Sequence, residues 1–386
     1  MRTDLRTGIL SRMSRNDAAV RPHELLGHLP GDFGSILGPA LDGLGEPAYR
    51  ARQIASWVFE RYAAGFDEMT NLPSDLRESL SASFSVSPLE MAFEARSRDG
   101  TVKHLWRLRD GEQVESVLIP SRERVTLCLS SQAGCALGCR FCATGDFGFR
   151  RQLSAAEIVA QFRDSERIAR NAFGRGIANV VYMGMGEPMA NLEAVLESLT
   201  LLHEGFGFGA RRITVSTVGL VPGIRALAAR PEPFRLAVSL HAPEHALRET
   251  LVPVESRYPI PDLFEALRDY QKAKGRRITF EYTLIERVND SPDLAQGLAD
   301  LLEGLDAFVN LIPYNPIPGR EWRPSPPERI AAFLGTLEAR GVEAAVRRPR
   351  GRDIAAACGQ LRLERAGPDG TAVDRGELEE PLSEGG

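Results

Sequence analysis

Cys135, Cys139 and Cys142 stand in the run Cys135-Ala-Leu-Gly-Cys139-Arg-Phe-Cys142. This C-x3-C-x2-C spacing lets one loop offer three thiolates to three corners of a cubane iron–sulfur cluster. No fourth thiolate follows nearby. The fourth iron of a [4Fe-4S] cluster would then stay open to a small chelating ligand, such as the amino and carboxylate groups of S-adenosylmethionine (SAM). An electron passed into SAM breaks its C5′–S bond and releases a deoxyadenosyl radical. The competing reading is a structural zinc site, which needs four ligands. The nearest histidines, His104 and His203, lie more than thirty residues from the cluster. Cys128, seven residues before Cys135, could supply a fourth thiolate.

Other residues could bind such a ligand. Gly184-Met185-Gly186-Glu187-Pro188 follows an apolar run. Glycines at a strand end let backbone approach a ligand, and an acid there can hold an ammonium group. Ser216-Thr217 and Ser239-Leu240-His241 end two later runs, where hydroxyls and an imidazole suit a ribose or a carboxylate. Each of these alone is as readily an ordinary turn or cap. Cys128 on a strand reads as a small buried residue, and Cys358 among Ala355, Ala356, Ala357 and Gly359 as an idle thiol.

These residues need a scaffold. Residues 49–62 place Ile54, Trp57, Val58 and Tyr62 on one helical face, and Pro73-Ser74-Asp75 starts another helix. Asp110-Gly111 lies between two apolar-containing runs within residues 89–120, which reads as a β-hairpin. Strands are expected over residues 126–130, 177–183, 212–216, 235–240, 277–284, 308–312 and 342–346. Helices are expected over 154–169, 192–203, 261–273, 292–302 and 327–340, the first opened by a Ser154/Glu157 capping box. Alternating β and α units imply an α/β fold with a parallel sheet, here a partial barrel, with chemistry at the strands' C-terminal ends.

The chain of 386 residues is long enough for one large α/β domain and a smaller piece. We expect a disordered arm over 1–20, a helical N-terminal domain over 21–87 and a β-hairpin linker over 88–120. A partial barrel with a C-terminal cysteine loop follows over 121–365, then a disordered acidic tail over 366–386. The tail carries the whole net charge of −5, so residues 1–365 are formally neutral and RNA is not excluded as a partner. Five cysteines, no run of eighteen apolar residues, and arginines breaking the N-terminal apolar stretches fit a cytoplasmic protein with no membrane span. Basic clusters occur at Arg150-Arg151, Arg211-Arg212, Arg276-Arg277 and across residues 347–352. The last leads into the Cys358 loop, where phosphate contacts would bring a nucleotide to the thiol; the alternative is a solvated basic face.

The cysteine run, with Phe141 before its last cysteine, resembles the radical SAM signature. Its surroundings, SSQAGCALGCRFCATG, resemble the RlmN/Cfr family of radical SAM RNA adenine methyltransferases. The resemblance continues through GMGEP, SLHAP, LIPYNP and RGRDIAAACGQL and covers residues 47–361. It implies a partial (β/α)6-type radical SAM barrel, with Cys135, Cys139 and Cys142 on one [4Fe-4S] cluster. It places SAM contacts at Gly186, Glu187, Ser216, Ser239, Leu240, His241 and Asn315. Val218 stands where some family members have a second serine.

By the same resemblance Cys358 is methylated by one SAM, and a radical from a second SAM abstracts hydrogen from that methyl. The resulting carbon radical adds to the adenine ring, whose C2 and C8 have no useful lone pair for direct methylation. Cys128 then resolves the protein–RNA adduct through a transient disulfide with Cys358, and Glu115 is the proton acceptor. The expected reaction is methylation of adenine C2 in 23S rRNA, extending to tRNA, with the base extruded from its stack. The implied partners are these RNAs and a low-potential electron donor such as flavodoxin or ferredoxin, with the enzyme a monomer. The alternatives are C8 methylation, a radical SAM reaction on a small molecule, or a zinc-bearing RNA-binding protein without catalysis.

Overall fold

A computed structural model of the chain describes residues 22–317 and 319–361. The expected arm over residues 1–20 and the acidic tail over 366–386 lie outside the described residues.

The N-terminal part pairs a short strand, β1 (His23–Glu24), with β2 (Phe84–Ser85) around three helices, α1 (Phe33–Gly43), α2 (Tyr49–Phe59) and α3 (Ser74–Ser81). Helix α2 buries Ile54 and Val58, as its periodicity predicts, together with Ala51, Ala55 and Phe59. It stops at Phe59, short of Tyr62, whose φ of +60° no helix accommodates. Phe59 packs on Phe33 and Phe206 with ring centroids 5.8 and 4.8 Å apart, tying the helices to the rest of the molecule.

Strands β3 (Leu89–Arg96), β4 (Val102–Leu108) and β5 (Gln113–Pro120) form an antiparallel meander. Asp110-Gly111 turns β4 into β5, with Gly111 at φ +88°. The hairpin is the second half of this meander, because Leu89–Arg96 pairs along β4 as a third strand. Strand β6 (Val125–Cys128) joins β5 antiparallel, so the meander and the barrel share one sheet.

After β6 come a two-stranded ribbon, β7 (Gln132–Gly134) and β8 (Phe149–Gln152), with α4 (Ala143–Asp146) between its strands. The β/α alternation then runs α5 (Ala155–Phe173), β9 (Ile177–Tyr182), α6 (Leu192–Thr200), β10 (Ile213–Thr217), α7 (Val221–Ala229) and β11 (Arg235–Ser239). It continues through α8 (His245–Leu251), α9 (Ile260–Lys274), β12 (Ile278–Leu284), α10 (Pro292–Leu302), β13 (Ala307–Pro313), α11 (Pro327–Ala339) and β14 (Glu343–Val346). The Ser154/Glu157 capping box opens α5 as expected, with Ser154 Oγ accepting from Glu157 N at 3.2 Å.

The main sheet has ten strands in the order β14-β13-β12-β11-β10-β9-β6-β5-β4-β3. From β6 through β14 every neighbouring pair is parallel. The fold is α/β, with helices following the parallel strands of one open sheet, and those strands all end on one side. Short α7 and α8 and the ribbon were not legible in the sequence. Strand β8 reads Phe-Arg-Arg-Gln, which has no alternation to mark it. Among the described residues no helix is long and apolar enough to cross a membrane.

Candidate active site

A cavity open to solvent lies where the parallel strands end. Its lining includes Cys135, Cys139 and Cys142 from the β7–β8 connection and Gly186 and Glu187 after β9. Ser216, Ser239, His241 and Asn315 line it from the ends of β10, β11 and β13, and Cys358 from the C-terminal loop. Gly186, Glu187, Ser216, Ser239, His241 and Asn315 are delivered at or just past the C-terminal ends of parallel strands that pair in register.

The three clustered thiols sit close enough to perturb one another. Burial raises all three above the usual thiol range, Cys135 to about 11, and neighbouring sulfurs add to the rise of Cys135 and Cys139. Among the described residues no three His, Cys, Asp or Glu side chains converge on one metal-ion position. A mononuclear zinc site requires that convergence. A cubane does not, since each thiolate binds a different iron.

Glu187 is buried, and both carboxylate oxygens are oriented. Oε1 accepts from Met189 N at 3.0 Å and Oε2 from Val218 N at 3.0 Å, while its own N–H donates to Gln132 Oε1 at 2.7 Å. The Val218 contact is made by backbone, so it does not need a serine there. Burial pushes Glu187 up to about 7 against these hydrogen bonds. Gly186 has φ +95°, and a Cβ there would come within 2.5 Å of Gln132 Cβ.

His241 is held in a left-handed conformation at φ +61°. Asn289 Nδ2 holds its carbonyl at 2.8 Å, and its Nδ1 accepts from Thr283 N at 3.0 Å. The neutral ring therefore carries its proton on Nε2, which is buried without a protein partner. Burial, then Arg248, lower His241 to about 3, so it is a neutral donor. Leu240 is different: its side chain lies in the core, its N–H donates to Glu281 O at 3.1 Å, and its carbonyl accepts from Arg248 Nε at 3.2 Å.

The Cys358 loop is docked at several points. Ala143 N donates to Gly359 O at 2.7 Å, Thr144 Oγ1 to Leu361 O at 2.8 Å, and Asn315 Nδ2 to Cys358 O at 3.1 Å. Asn315 Oδ1 accepts from Arg352 Nε at 2.8 Å. Cys358 is exposed and Cys128 buried, and both are free thiols. Burial, then the Cys358 sulfur, push Cys128 up to about 12. Cys128 pairs with Val117 across β5 and β6. Glu115 lies two residues along β5 on that same face. Neither Cys128 nor Glu115 is among the residues lining the cavity.

Residues 129–296 match the radical SAM superfamily, and residues 37–86 match the ribosomal RNA large subunit methyltransferase N-terminal domain. A protein of Gemmatimonas aurantiaca named a probable dual-specificity RNA methyltransferase RlmN is 50% identical over 335 residues, covering 86% of this chain and 91% of that one. A dual-specificity RNA methyltransferase RlmN of Anaeromyxobacter sp. is 48% identical, covering 83% and 86%. The crystal structure of a radical SAM methyltransferase from Sphaerobacter thermophilus superposes with a TM-score of 0.85 at 49% identity, covering 88% of this chain and 99% of that one. The chain belongs to the RlmN family of radical SAM RNA methyltransferases.

Membership in the RlmN family implies SAM and a [4Fe-4S] cluster. The residues present fit both. Three thiols share one cavity with a buried carboxylate, Glu187, that no Lys or Arg pairs within 4 Å among the ion pairs of the described residues. Cys135, Cys139 and Cys142 would hold the cluster, and Glu187 would take the amino group of SAM. When bound, the cluster and SAM would supply reductive radical chemistry at this cavity.

Two charged cavity residues were missed at the sequence level as site residues. Glu281 sits in mid-strand on β12, in Ile-Thr-Phe-Glu-Tyr-Thr-Leu, and an acid inside an otherwise buried parallel strand was the available signal. Arg347 was grouped with the basic run across 347–352, but it lines the cavity. Arg248 was also missed. It is fully buried, paired with Glu255, and donates to Leu240 O at 3.2 Å and Val218 O at 2.5 Å, which braces the loops after β10 and β11.

Proposed function

We propose that this enzyme methylates C2 of a specific adenine in 23S rRNA, and adenine in tRNA, through a methylated Cys358 and a covalent protein–RNA intermediate. The observation that carries this reading is the placement of Cys358. It lies more than 200 residues after Cys142 in the chain, yet shares the cavity with all three clustered cysteines. A thiol with only a packing role would be buried; Cys358 is exposed on a loop tied to the cysteine segment through Ala143 and Thr144.

In this reading Gly186, Glu187, Ser216, Ser239, His241 and Asn315 bind SAM by side chain or close backbone approach, and Leu240 by backbone. Cys358 accepts a methyl from one SAM, and a second SAM supplies the radical. Glu115 takes the ring proton, and Cys128 attacks the Cys358 sulfur to release the methylated base, leaving a disulfide. The electron comes from a low-potential donor such as flavodoxin or ferredoxin. The enzyme works as a cytoplasmic monomer.

The test has two parts. Anaerobic purification with iron and sulfide analysis is expected to find a four-iron cluster; zinc without iron would refute the assignment of Cys135, Cys139 and Cys142. Mass spectrometry of rRNA and tRNA digests, from cells with and without the gene, is expected to show a gene-dependent 2-methyladenine. An 8-methyladenine product in its place sinks the C2 assignment.

A further inference from the structure

Arg248 lies on α8, is fully buried, and does not line the cavity. Its guanidinium is a planar fork of donors, and here the fork reaches in three directions. Nη1 donates to Glu255 Oε2, Nε to Leu240 O at 3.2 Å and Nη2 to Val218 O at 2.5 Å. Glu255 is also fully buried and is fixed in turn. Its Oε1 accepts from Ile260 N, at the start of α9, at 2.9 Å, and lies 2.8 Å from His245 Nδ1. The cation is thus anchored to two helices, and its other two contacts go to the loops after β10 and β11.

Both carbonyls belong to residues that shape the cavity. Val218 N donates to Glu187 Oε2 at 3.0 Å, so Val218 is clamped between Glu187 on one side and Arg248 on the other. Thr217 Oγ1 closes this loop by accepting from Gly219 N at 3.0 Å and Leu220 N at 3.2 Å. Gly219 has φ +113°, and a Cβ there would come within 3.1 Å of Leu263 Cδ2 and 3.3 Å of Arg248 Nη2, so loop and guanidinium pack without slack. The Leu240 carbonyl shares a peptide plane with the His241 N–H. Holding that carbonyl sets the direction in which the chain enters His241, at φ +61°. Fold stability does not by itself call for such a group, because a buried ion pair is often no more stable than apolar residues of the same volume. An apolar side chain at 248 would hold neither carbonyl.

We propose that Arg248 is a positioning residue for SAM: anchored on Glu255, it holds Val218 and the Leu240–His241 peptide so that the Glu187 carboxylate meets the SAM amino group at a fixed place. This rests on the reading that Glu187 binds that amino group. A carboxylate has about four lone-pair sites. Met189 N and Val218 N take one on each oxygen of Glu187, and those two bonds decide where the remaining lone pairs point. Releasing Val218 from Arg248 loosens one of the two and leaves the carboxylate free to turn. Arg248 touches no ligand and takes part in no bond change; it acts through the backbone of Val218 and Leu240.

The test is anaerobic equilibrium dialysis of cluster-loaded enzyme against SAM and against an analogue in which hydrogen replaces the α-amino group. Arg248→Lys keeps a cation beside Glu255, but an ammonium is a compact charge without the reach of the fork. It is expected to keep the iron content of the unmodified enzyme and to weaken SAM binding about tenfold, while binding of the analogue changes by less than about threefold. In a Glu187→Gln background the same substitution is expected to add less than about threefold, because both changes act through one carboxylate. Should Arg248→Lys lose its iron, Arg248→Met combined with Glu255→Gln removes both buried charges together and keeps an oxygen for Ile260 N; the same selective loss is expected. Equal weakening of SAM and the analogue overturns the proposal, since Arg248 then holds only the fold. SAM binding that is unchanged in an iron-loaded variant overturns it as well. Failure of the underlying reading looks different: Glu187→Gln alone then leaves the preference for SAM over the analogue as it is in the unmodified enzyme.

Discussion

Lys103 Nζ lies 3.0 Å from Glu115 Oε1, and the two side chains are 3% and 1% exposed. Lys103 pairs with Val117, and Val117 with Cys128, so Lys103, Glu115 and Cys128 share one face across three strands. The base proposed for the RNA is thus a buried ion-pair partner on the same face as the resolving thiol. Removing one member of such a pair strands the other charge, at a cost of about 3–5 kcal/mol, whereas replacing both is tolerated. Glu115→Gln is therefore expected to lower stability on that scale and to abolish product release. Adding Lys103→Met is expected to recover stability in denaturant unfolding without recovering methylation. A double variant that regains turnover removes Glu115 from the reaction.

Gly186 is the second test. Its φ of +95° and the 2.5 Å approach to Gln132 leave no room for a Cβ. Forcing an L-residue into the left-handed region costs about 1–2 kcal/mol, before any clash. Gly186→Ala is expected to weaken SAM binding by about tenfold or more, read by equilibrium dialysis, while iron content stays at the level of the unmodified enzyme. Loss of iron in step with SAM would show that the turn serves the cluster loop instead.

Cys128→Ala is expected to accumulate a covalent enzyme–RNA species, seen as a slow band on denaturing gels with labelled RNA. Cys358→Ala is expected to form no such band. Free turnover by Cys128→Ala would exclude Cys128 from resolution of the adduct.

The Cys358 loop is also tied to the meander through Asp99. Asp99 Oδ2 accepts from Gly351 N at 3.0 Å and Oδ1 from Thr101 N at 2.9 Å. Burial alone would raise Asp99, but hydrogen bonds from Thr101 and Gly351 hold it at about 2, below its ordinary 3.8. A depressed carboxylate stabilises the folded state above its unfolded pKa and loses that contribution as pH falls through its folded pKa. Amide exchange across residues 351–361, corrected for intrinsic rates, is expected to lose protection between about pH 4 and 2. Asp99→Ala is expected to show the low protection already at pH 7. Protection that survives Asp99→Ala but still falls with pH would mean that Asp353, which accepts from Ser97 Oγ at 2.6 Å and is also held below its ordinary range by that hydrogen bond, ties the loop to the meander instead.

Local spacing made much of this protein legible in its sequence. C-x3-C-x2-C needs only one loop, the Ser154/Glu157 box only one helix start, and the Asp110-Gly111 turn only two adjacent strands. Alternating periods announced the α/β sheet. What tertiary structure alone decided is what comes together from far apart. A strand residue's neighbours across a sheet are set by register, which one strand does not encode. Register puts Glu281 beside Asn310 and turns Arg347 inward, although its neighbours in the chain read as one basic patch. Docking of the last described residues onto Ala143, Thr144 and Asn315 brings Cys358 to the three clustered cysteines. Those cysteines by themselves mark a cluster with an open corner; the fold shows which thiol, arginine and carboxylates share its cavity.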